Sequence, residues 1–387
     1  MSAPSGLGHV NPLVPIASAF VDRGDEVLFG CAGPADERLV ALGFRVGRVG
    51  LNAPDAHQRA VDRFPELRDL PGSEMASQMF PRLFGSVGTD ASFEDLLAVA
   101  REFRPDVLVH DAADFAAPIV AAAIGVPNVC NGFGFLVPPE RVQDAADRAA
   151  KWWGEVGLEP RPFGGSYDHL YIDPYPPSMQ PFGLEHVANI IRIAPAPATS
   201  AHSETLPEAL AAQLEEPDST LILVTFGTVY NRSPDVAATV RGAARLDSIL
   251  LVTVGPGGDV SAFGDLGPHA HVHTYVPLDL VLQRTTVVAS HAGSGTALAA
   301  LALGIPQLCV PQAADQFRNS EAIERTGAGR RLTGGVDADS VERELRFLID
   351  DAATRERARL VADEIATMPP AAEVAAAIAE LAVSRPA

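Results

Sequence analysis

The 387 residues exceed what one ordinary hydrophobic core organises, so two domains of roughly 150 to 200 residues are expected. Hydrophobic residues make up 47% and charged residues 20%, a globular balance that requires no disorder. The formal net charge of −20 offers no basic stripe for counterion release, which excludes nucleic acid and anionic membrane surfaces as partners; any bound phosphate has to be held by backbone N–H groups, helix dipoles and a few chosen side chains.

Only Met1 to Ser5 precede the loop GLGHVNP (6–12), where a doubly wound half should begin with a buried strand. Either that strand is nearly absent or the given start falls inside the coding sequence. VNPLVPIASAFVDRG (10–24) predicts a helix closed by Gly24, and EVLFG (26–30) a strand. DVLVHD (106–111) predicts a strand, FAAPIVAAAIG (115–125) a helix, and VPNVCN (126–131) the next strand. The alternation is that of βαβ units on a parallel sheet. Residues 51–100 and 132–190 break this rhythm with Phe64, Met75, Met79, Phe80, Phe84, Phe133, Phe135, Trp152 and Trp153. These are candidate lids or walls of an apolar pocket, against the plainer expectation that any one of them packs the core.

APAPATSAHSETLPE, starting at Ala194, has linker composition. The expected division is therefore a domain over 1–197, a linker over 198–218, a second domain over 219–369 and a terminal segment over 370–387. In the second domain LILVTFG (221–227), ILLVTVG (249–255), VHTYVP (272–277), TVVAS (286–290) and QLCVP (307–311) predict strands. PAAEVAAAIAELA (370–382) predicts an amphipathic helix able to pack back across the domains. Cys31, Cys130 and Cys309 are odd in number, far apart and in apolar contexts, which points to a reducing compartment. With no N-terminal export pattern and no apolar run near the ~20 residues that span a bilayer, a cytoplasmic protein is expected.

The chemistry concentrates in SHAGSGTALAALALGIPQLCVPQAADQFRN (290–319). A buried-type strand runs into His291, Ala292, Gly293, Ser294 and Gly295, and a strong helix former follows. That turn exposes the first N–H groups of a helix, where partial positive charge favours phosphate. Gly293 and Gly295 allow close backbone approach, Ser294 and Thr296 add hydroxyls, and His291 adds a ring N–H. Asp315 and Gln316 are expected in the loop beyond the next strand, where a carboxylate and an amide suit vicinal hydroxyls. The spacing fails three rival motifs: Leu298 stands where a dinucleotide fingerprint needs Gly, Ala292 and Thr296 where a nucleophile elbow needs Gly, and no Lys serves a P-loop. His269, His271 and His273 alternate as zinc ligands can, yet no Cys, Asp or Glu obviously completes a site, and solvated edge residues are the expectation.

HAGSGT followed by PQAADQFRN, with YVPL (275–278) upstream and GLGHVNP at the N-terminus, resembles the GT-B nucleotide-sugar glycosyltransferases. It is most similar to the actinobacterial enzymes that glycosylate polyketides and other secondary metabolites. The resemblance covers nearly the whole chain, only loosely over 51–100 and 132–190. It implies an α/β protein of two Rossmann-like domains facing across a cleft, with an acceptor site in the first and a nucleotide-sugar site in the second. It further implies inversion at the anomeric carbon with no metal and no cofactor, the donor being a dTDP- or UDP-linked sugar, expected to be a deoxysugar, and the acceptor a hydrophobic natural product.

By this resemblance His291 corresponds to the diphosphate-binding histidine, Gly293, Ser294, Gly295 and Thr296 to its backbone and hydroxyl companions, and Asp315 and Gln316 to the sugar-contacting pair. Tyr275 and Val276 fall where the base packs, and Gly227 and Thr228 end the strand whose loop faces the phosphates. His9 matches the catalytic base and Asp111 the carboxylate that orients it, with His110 and Asp114 as competitors for that place. Phe64, Met75, Met79, Phe80, Phe84, Phe133, Phe135 and Trp152 become candidate acceptor contacts. Ala292 stands where a second Gly is usual and is expected to stay right-handed. A nucleotide-sugar epimerase of the same fold and a non-catalytic helper of a glycosyltransferase are the alternatives, and homodimerisation is left open.

Overall fold

The computed structural model describes residues 1–70, 72–180, 183–196, 205–216, 219–227, 233–255 and 257–383. Two compact units divide the chain: Met1–Tyr175 with Gln180–Ala194 and Met368–Ala387, and Pro176–Met179 with Pro195–Thr367.

In the first unit six parallel strands are β1 (Leu28–Cys31), β2 (Arg45–Arg48), β3 (Leu108–Asp111), β4 (Asn128–Asn131), β5 (Leu170–Asp173) and β6 (Ile190–Arg192). They form a pair, β1-β2, and a four-stranded run, β3-β4-β5-β6. Ser2 joins the two, bridging in parallel to both Gly30 and His110. Its N–H donates to Val109 O (2.9 Å), its carbonyl accepts from Asp111 N (2.9 Å), and Gly30 N donates to Met1 O (2.8 Å). The first strand is thus present as little more than Met1–Ala3, in the middle of the sheet. The spatial order β2, β1, Met1–Ala3, β3, β4 reverses direction at that segment, and α/β sheets bind ligands beyond the carboxyl ends at such a reversal.

The helix expected over 10–24 is instead a turn of α-helix (Leu7–Val10), a 3-10 turn (Asn11–Leu13) and an α-helix (Val14–Asp22). Pro12 and Pro15 lack the N–H groups that continuous α-helical bonding requires, so the path breaks at each. One face of the sheet is covered by Val10, Leu13, Ile16 and Phe20 with Val374, Ala375 and Ile378 of the C-terminal helix Ala371–Val383. The opposite core contains Phe93, Leu96, Phe115, Ile119 and Trp153.

The second unit holds β7 (Leu221–Thr225), β8 (Ile249–Thr253), β9 (Ala270–His273), β10 (Val287–Ser290), β11 (Gln307–Cys309) and β12 (Gly329–Arg331). All pair in parallel in the order β12-β11-β10-β7-β8-β9, reversing between β10 and β7. Four of the five residues of β7 are apolar and all five are buried, as expected for strands covered on both faces. The strand expected over 272–277 lies earlier. β9 is an edge strand whose last pairing is Thr253 with His273, so Tyr275 to Pro277 have no ladder to join and turn into the short helix Leu278–Leu282. This α/β architecture of parallel sheets agrees with the expected Rossmann-like pair. Among the described residues no single helix is long and apolar enough to cross a membrane.

Candidate active site

Beyond the reversal point of the first sheet, Gly6 starts the turn Leu7–Val10 that presents His9. His9 Nδ1 lies 2.9 Å from Oδ1 of Asp111, the fully buried last residue of β3. The same oxygen accepts from Ala113 N (2.8 Å). A carboxylate can only accept here, so the proton sits on Nδ1 and Nε2 keeps its lone pair. Phe133 (4.6 Å between ring centroids) and Phe84 (5.3 Å) wall the imidazole, and Phe80 continues the wall 5.2 Å from Phe84.

The two competitors are engaged elsewhere. His110 Nδ1 bonds the Asp111 carbonyl (2.9 Å), its Nε2 meets Asn128 Nδ2 (3.3 Å), and burial holds it below the ordinary histidine pKa. Asp114 accepts from Ser2 Oγ and from the N–H groups of Ala116 and Ala117 (both 3.1 Å), satisfying the start of the helix Ala116–Ile124 while burial raises its pKa.

Of the eight candidate acceptor contacts, Phe84 and Phe133 touch His9, and Phe80 adjoins them. Phe64, Met75 and Met79 form a separate cluster with Ala60, Leu67 and Val87, with the guanidiniums of Arg63, Arg82 and Arg148 over the Phe64 ring. Trp152 stacks on Phe93 (4.5 Å) and donates Nε1 to Asp90 (3.0 Å). Phe135 meets Tyr175 (5.7 Å), and Trp153 is a core residue.

In the second unit β10 and β7 end side by side at the reversal, Ser290 paired with Thr225. His291 follows β10 and lies against the backbone of Gly227 and Gly293. A Cβ at Gly227 would stand 3.0 Å from His291 Cε1, and one at Gly293 2.5 Å from Nε2, so the imidazole occupies a slot that only glycine leaves open. Burial holds its pKa below the ordinary value, opposed by the charge of Asp315, which favours a neutral ring able to donate one N–H. Gly293 is the N-cap of the helix Ser294–Ala302 and, lacking a side chain, makes no side-chain cap bond, so that terminus offers backbone N–H groups and the positive end of the helix dipole. Gly295 is exposed with open space around its Cα, and Thr296 is half-buried beside it.

The expectation of a right-handed Ala292 is overturned: its φ is +62°. The chain reverses from strand to helix within the three residues His291 to Gly293, and Ala292 makes the left-handed step of that turn. Ser290 Oγ, accepting from Ala292 N (3.0 Å), and Asn319 Nδ2, donating to Ala292 O (2.9 Å), hold it there.

Asp315 and Gln316 lie at a helix start rather than in a free loop: Asp315 is the N-cap and Gln316 the first residue of Gln316–Thr326. Asp315 Oδ2 accepts from Ser294 Oγ (2.8 Å) and Asn319 Nδ2 (2.9 Å). Gln316 Oε1 accepts from Gln312 N (2.8 Å) and Ala313 N (2.9 Å), folding the preceding loop over its own side chain. Asn319 is the residue that reading the motif overlooked. Its signal was spacing, since position i+4 from Asp315 lies on the same helical face. Val276 is buried and Tyr275 is 65% exposed, while Thr228 lies outside the described residues. On β9, His271 Nε2 meets Gln213 Oε1 (3.1 Å) and stacks on His273 (6.5 Å). Among the described residues no three ligating side chains converge as a metal site.

The profile of the erythromycin biosynthesis protein CIII-like N-terminal domain matches residues 55–197, and that of the C-terminal domain matches 237–381. The elloramycin glycosyltransferase ElmGT of Streptomyces olivaceus is 31% identical over 385 residues, spanning 92% of this chain and 90% of its own. The oleandomycin glycosyltransferase of Streptomyces antibioticus is 24% identical, spanning 90% and 83%. Among solved structures, the glycosyltransferase SnogD from Streptomyces nogalater superposes with a TM-score of 0.76 at 27% identity, covering 98% of both chains. The glycosyltransferase VinC, solved with dTDP, gives 0.76 at 23% identity and covers 100% of both.

Proposed function

This chain belongs to the erythromycin biosynthesis protein CIII-like family, and from that membership we propose that it is an inverting, metal-independent glycosyltransferase of antibiotic biosynthesis. It moves a sugar, in our reading a deoxysugar, from a dTDP or UDP donor to a hydroxyl of a hydrophobic natural product. The observation that carries the reading is the His9–Asp111 pair at the reversal point of the first sheet.

Nε2 of His9 takes the proton of the acceptor hydroxyl as its oxygen attacks the anomeric carbon, and buried Asp111 stabilises the imidazolium that forms. The bond from that carbon to the diphosphate breaks on the opposite face, which inverts the configuration. The departing negative charge is met by the N-terminus of Ser294–Ala302 and by the N–H of His291, donors already in place before the reaction. Asp315 and Gln316 take the sugar hydroxyls. Phe84 and Phe133 keep the base in an apolar setting suited to a hydrophobic acceptor. Three free, buried cysteines are consistent with a reducing compartment.

The test is transfer to a hydrophobic aglycone, read by mass, in wild type, His9→Ala and Asp111→Asn. Asp111→Asn is expected to lower kcat by roughly a hundredfold to ten-thousandfold, because the amide favours the wrong tautomer of His9. Chelator should leave the rate unchanged. Wild-type turnover by both variants would contradict the reading.

A further inference from the structure

Asn319 is completely buried and its Nδ2 lies within hydrogen-bonding distance of three acceptors: Ala292 O (2.9 Å), Asp315 Oδ2 (2.9 Å) and Ser294 Oγ (3.0 Å). Ser294 Oγ in turn donates to the same oxygen of Asp315 (2.8 Å). Among the described residues the Asn319 Oδ1 is buried with no hydrogen-bond partner, a cost that packing alone does not explain. The amide therefore spans two elements, the left-handed turn before Ser294–Ala302 and the N-cap of Gln316–Thr326. Those elements carry the groups assigned above to opposite ends of one donor molecule, its diphosphate and its sugar.

We propose that Asn319 is a positioning residue that locks the Asp315 carboxylate in register with the phosphate-binding turn, so that the sugar is held at a fixed place relative to the diphosphate. The inference rests on the donor-site reading. Ala292 is also held by Ser290 Oγ, so the phosphate turn survives loss of the amide, whereas among the described residues the Asp315 carboxylate then keeps only its bond from Ser294. The consequence falls on sugar recognition more than on nucleotide recognition.

Calorimetric titration with dTDP and dTDP-glucose, or the uridine pair where wild type prefers it, tests this in Asn319→Ala, Asn319→Asp, Asp315→Ala and Asn319→Ala/Asp315→Ala, alongside thermal unfolding. Affinity for the bare nucleotide is expected to stay within about threefold of wild type in both Asn319 variants, while the ratio of nucleotide-sugar to nucleotide affinity falls about tenfold. In the Asp315→Ala background, Asn319→Ala should change that ratio by less than about twofold, because the amide acts through the carboxylate. An unchanged ratio in both Asn319 variants, effects that simply multiply in the double variant, or failure of both Asn319 variants to fold would each overturn the inference. Absence of nucleotide binding by wild type would instead overturn the donor-site reading on which it rests.

Discussion

Ala292 sets opposing effects against one another at a single position. A left-handed alanine costs about 1–2 kcal/mol, which glycine would relieve. Glycine also loses a buried methyl, about 0.8 kcal/mol, and about 0.5–1 kcal/mol of backbone entropy. These nearly cancel, so Ala292→Gly should leave stability within about 0.5 kcal/mol of wild type. Ala300, equally buried but in the right-handed interior of Ser294–Ala302, has no strain to relieve, and Ala300→Gly should cost about 2 kcal/mol. Thermal unfolding of the two variants decides it; equal losses would mean that position 292 is unstrained. Histidine and glycine spacing made much of this site legible: His291, Gly293 and Gly227 are where a phosphate turn needs small or donating residues. The left-handed turn was not legible, because an alanine gives no sign of φ; of Asn319 only the i+4 relation to Asp315 was, since its other partners lie 25 and 27 positions away.

The element least visible beforehand is Pro81–Gly88, a π-helix that carries Phe84 to His9. PRLFGSVG has the apolar spacing of ordinary helix, and nothing in hydropathy distinguishes a wider hydrogen-bonding register. Its tertiary setting is tight: Gly85 lies against the helix Pro139–Ala149, where a Cβ would stand 2.4 Å from Ala145 O. Gly85→Ala should therefore destabilise the protein by about 2 kcal/mol or more and lower transfer activity by displacing Phe84, measured by thermal unfolding and by turnover at a temperature where the variant remains folded. A silent substitution would show that the two helices separate freely. The first strand could be expected only as nearly absent, for a related reason: Met1–Ala3 is too short to show any periodicity, and its pairing with Gly30 and His110 on either side is what identifies it. The long apolar strands β7 and β8 were legible because burial on both faces leaves a continuous apolar run.

Across the whole molecule, acidity is distributed between solvent-facing carboxylates and a few that are buried, and the latter govern how stability responds to pH. Asp173, at the end of β5, is fully buried, and burial raises its pKa from 3.8 to about 6 despite its bond from Tyr175 N (3.0 Å). The folded state thus binds this proton more tightly than the unfolded state, so stability falls as pH rises from about 3.8 to about 6. Relative to Asp173→Asn, wild type should be about 2 kcal/mol more stable at pH 4 than the same comparison gives at pH 7, at about 1.4 kcal/mol per pH unit and with the unfolded carboxyl already more than half ionised at pH 4. Denaturant unfolding at the two pH values measures it, and a pH-independent difference would place the carboxylate in contact with water.

The central claim is that the second unit binds a nucleoside diphosphate at the turn following β10, and titration calorimetry with dTDP and UDP, on wild type and on His291→Ala, tests it most directly. Micromolar binding of one nucleotide is expected, weakened at least about tenfold when the imidazole is removed from its glycine slot. Absence of binding to folded wild type, or equal affinity in the variant, would contradict it.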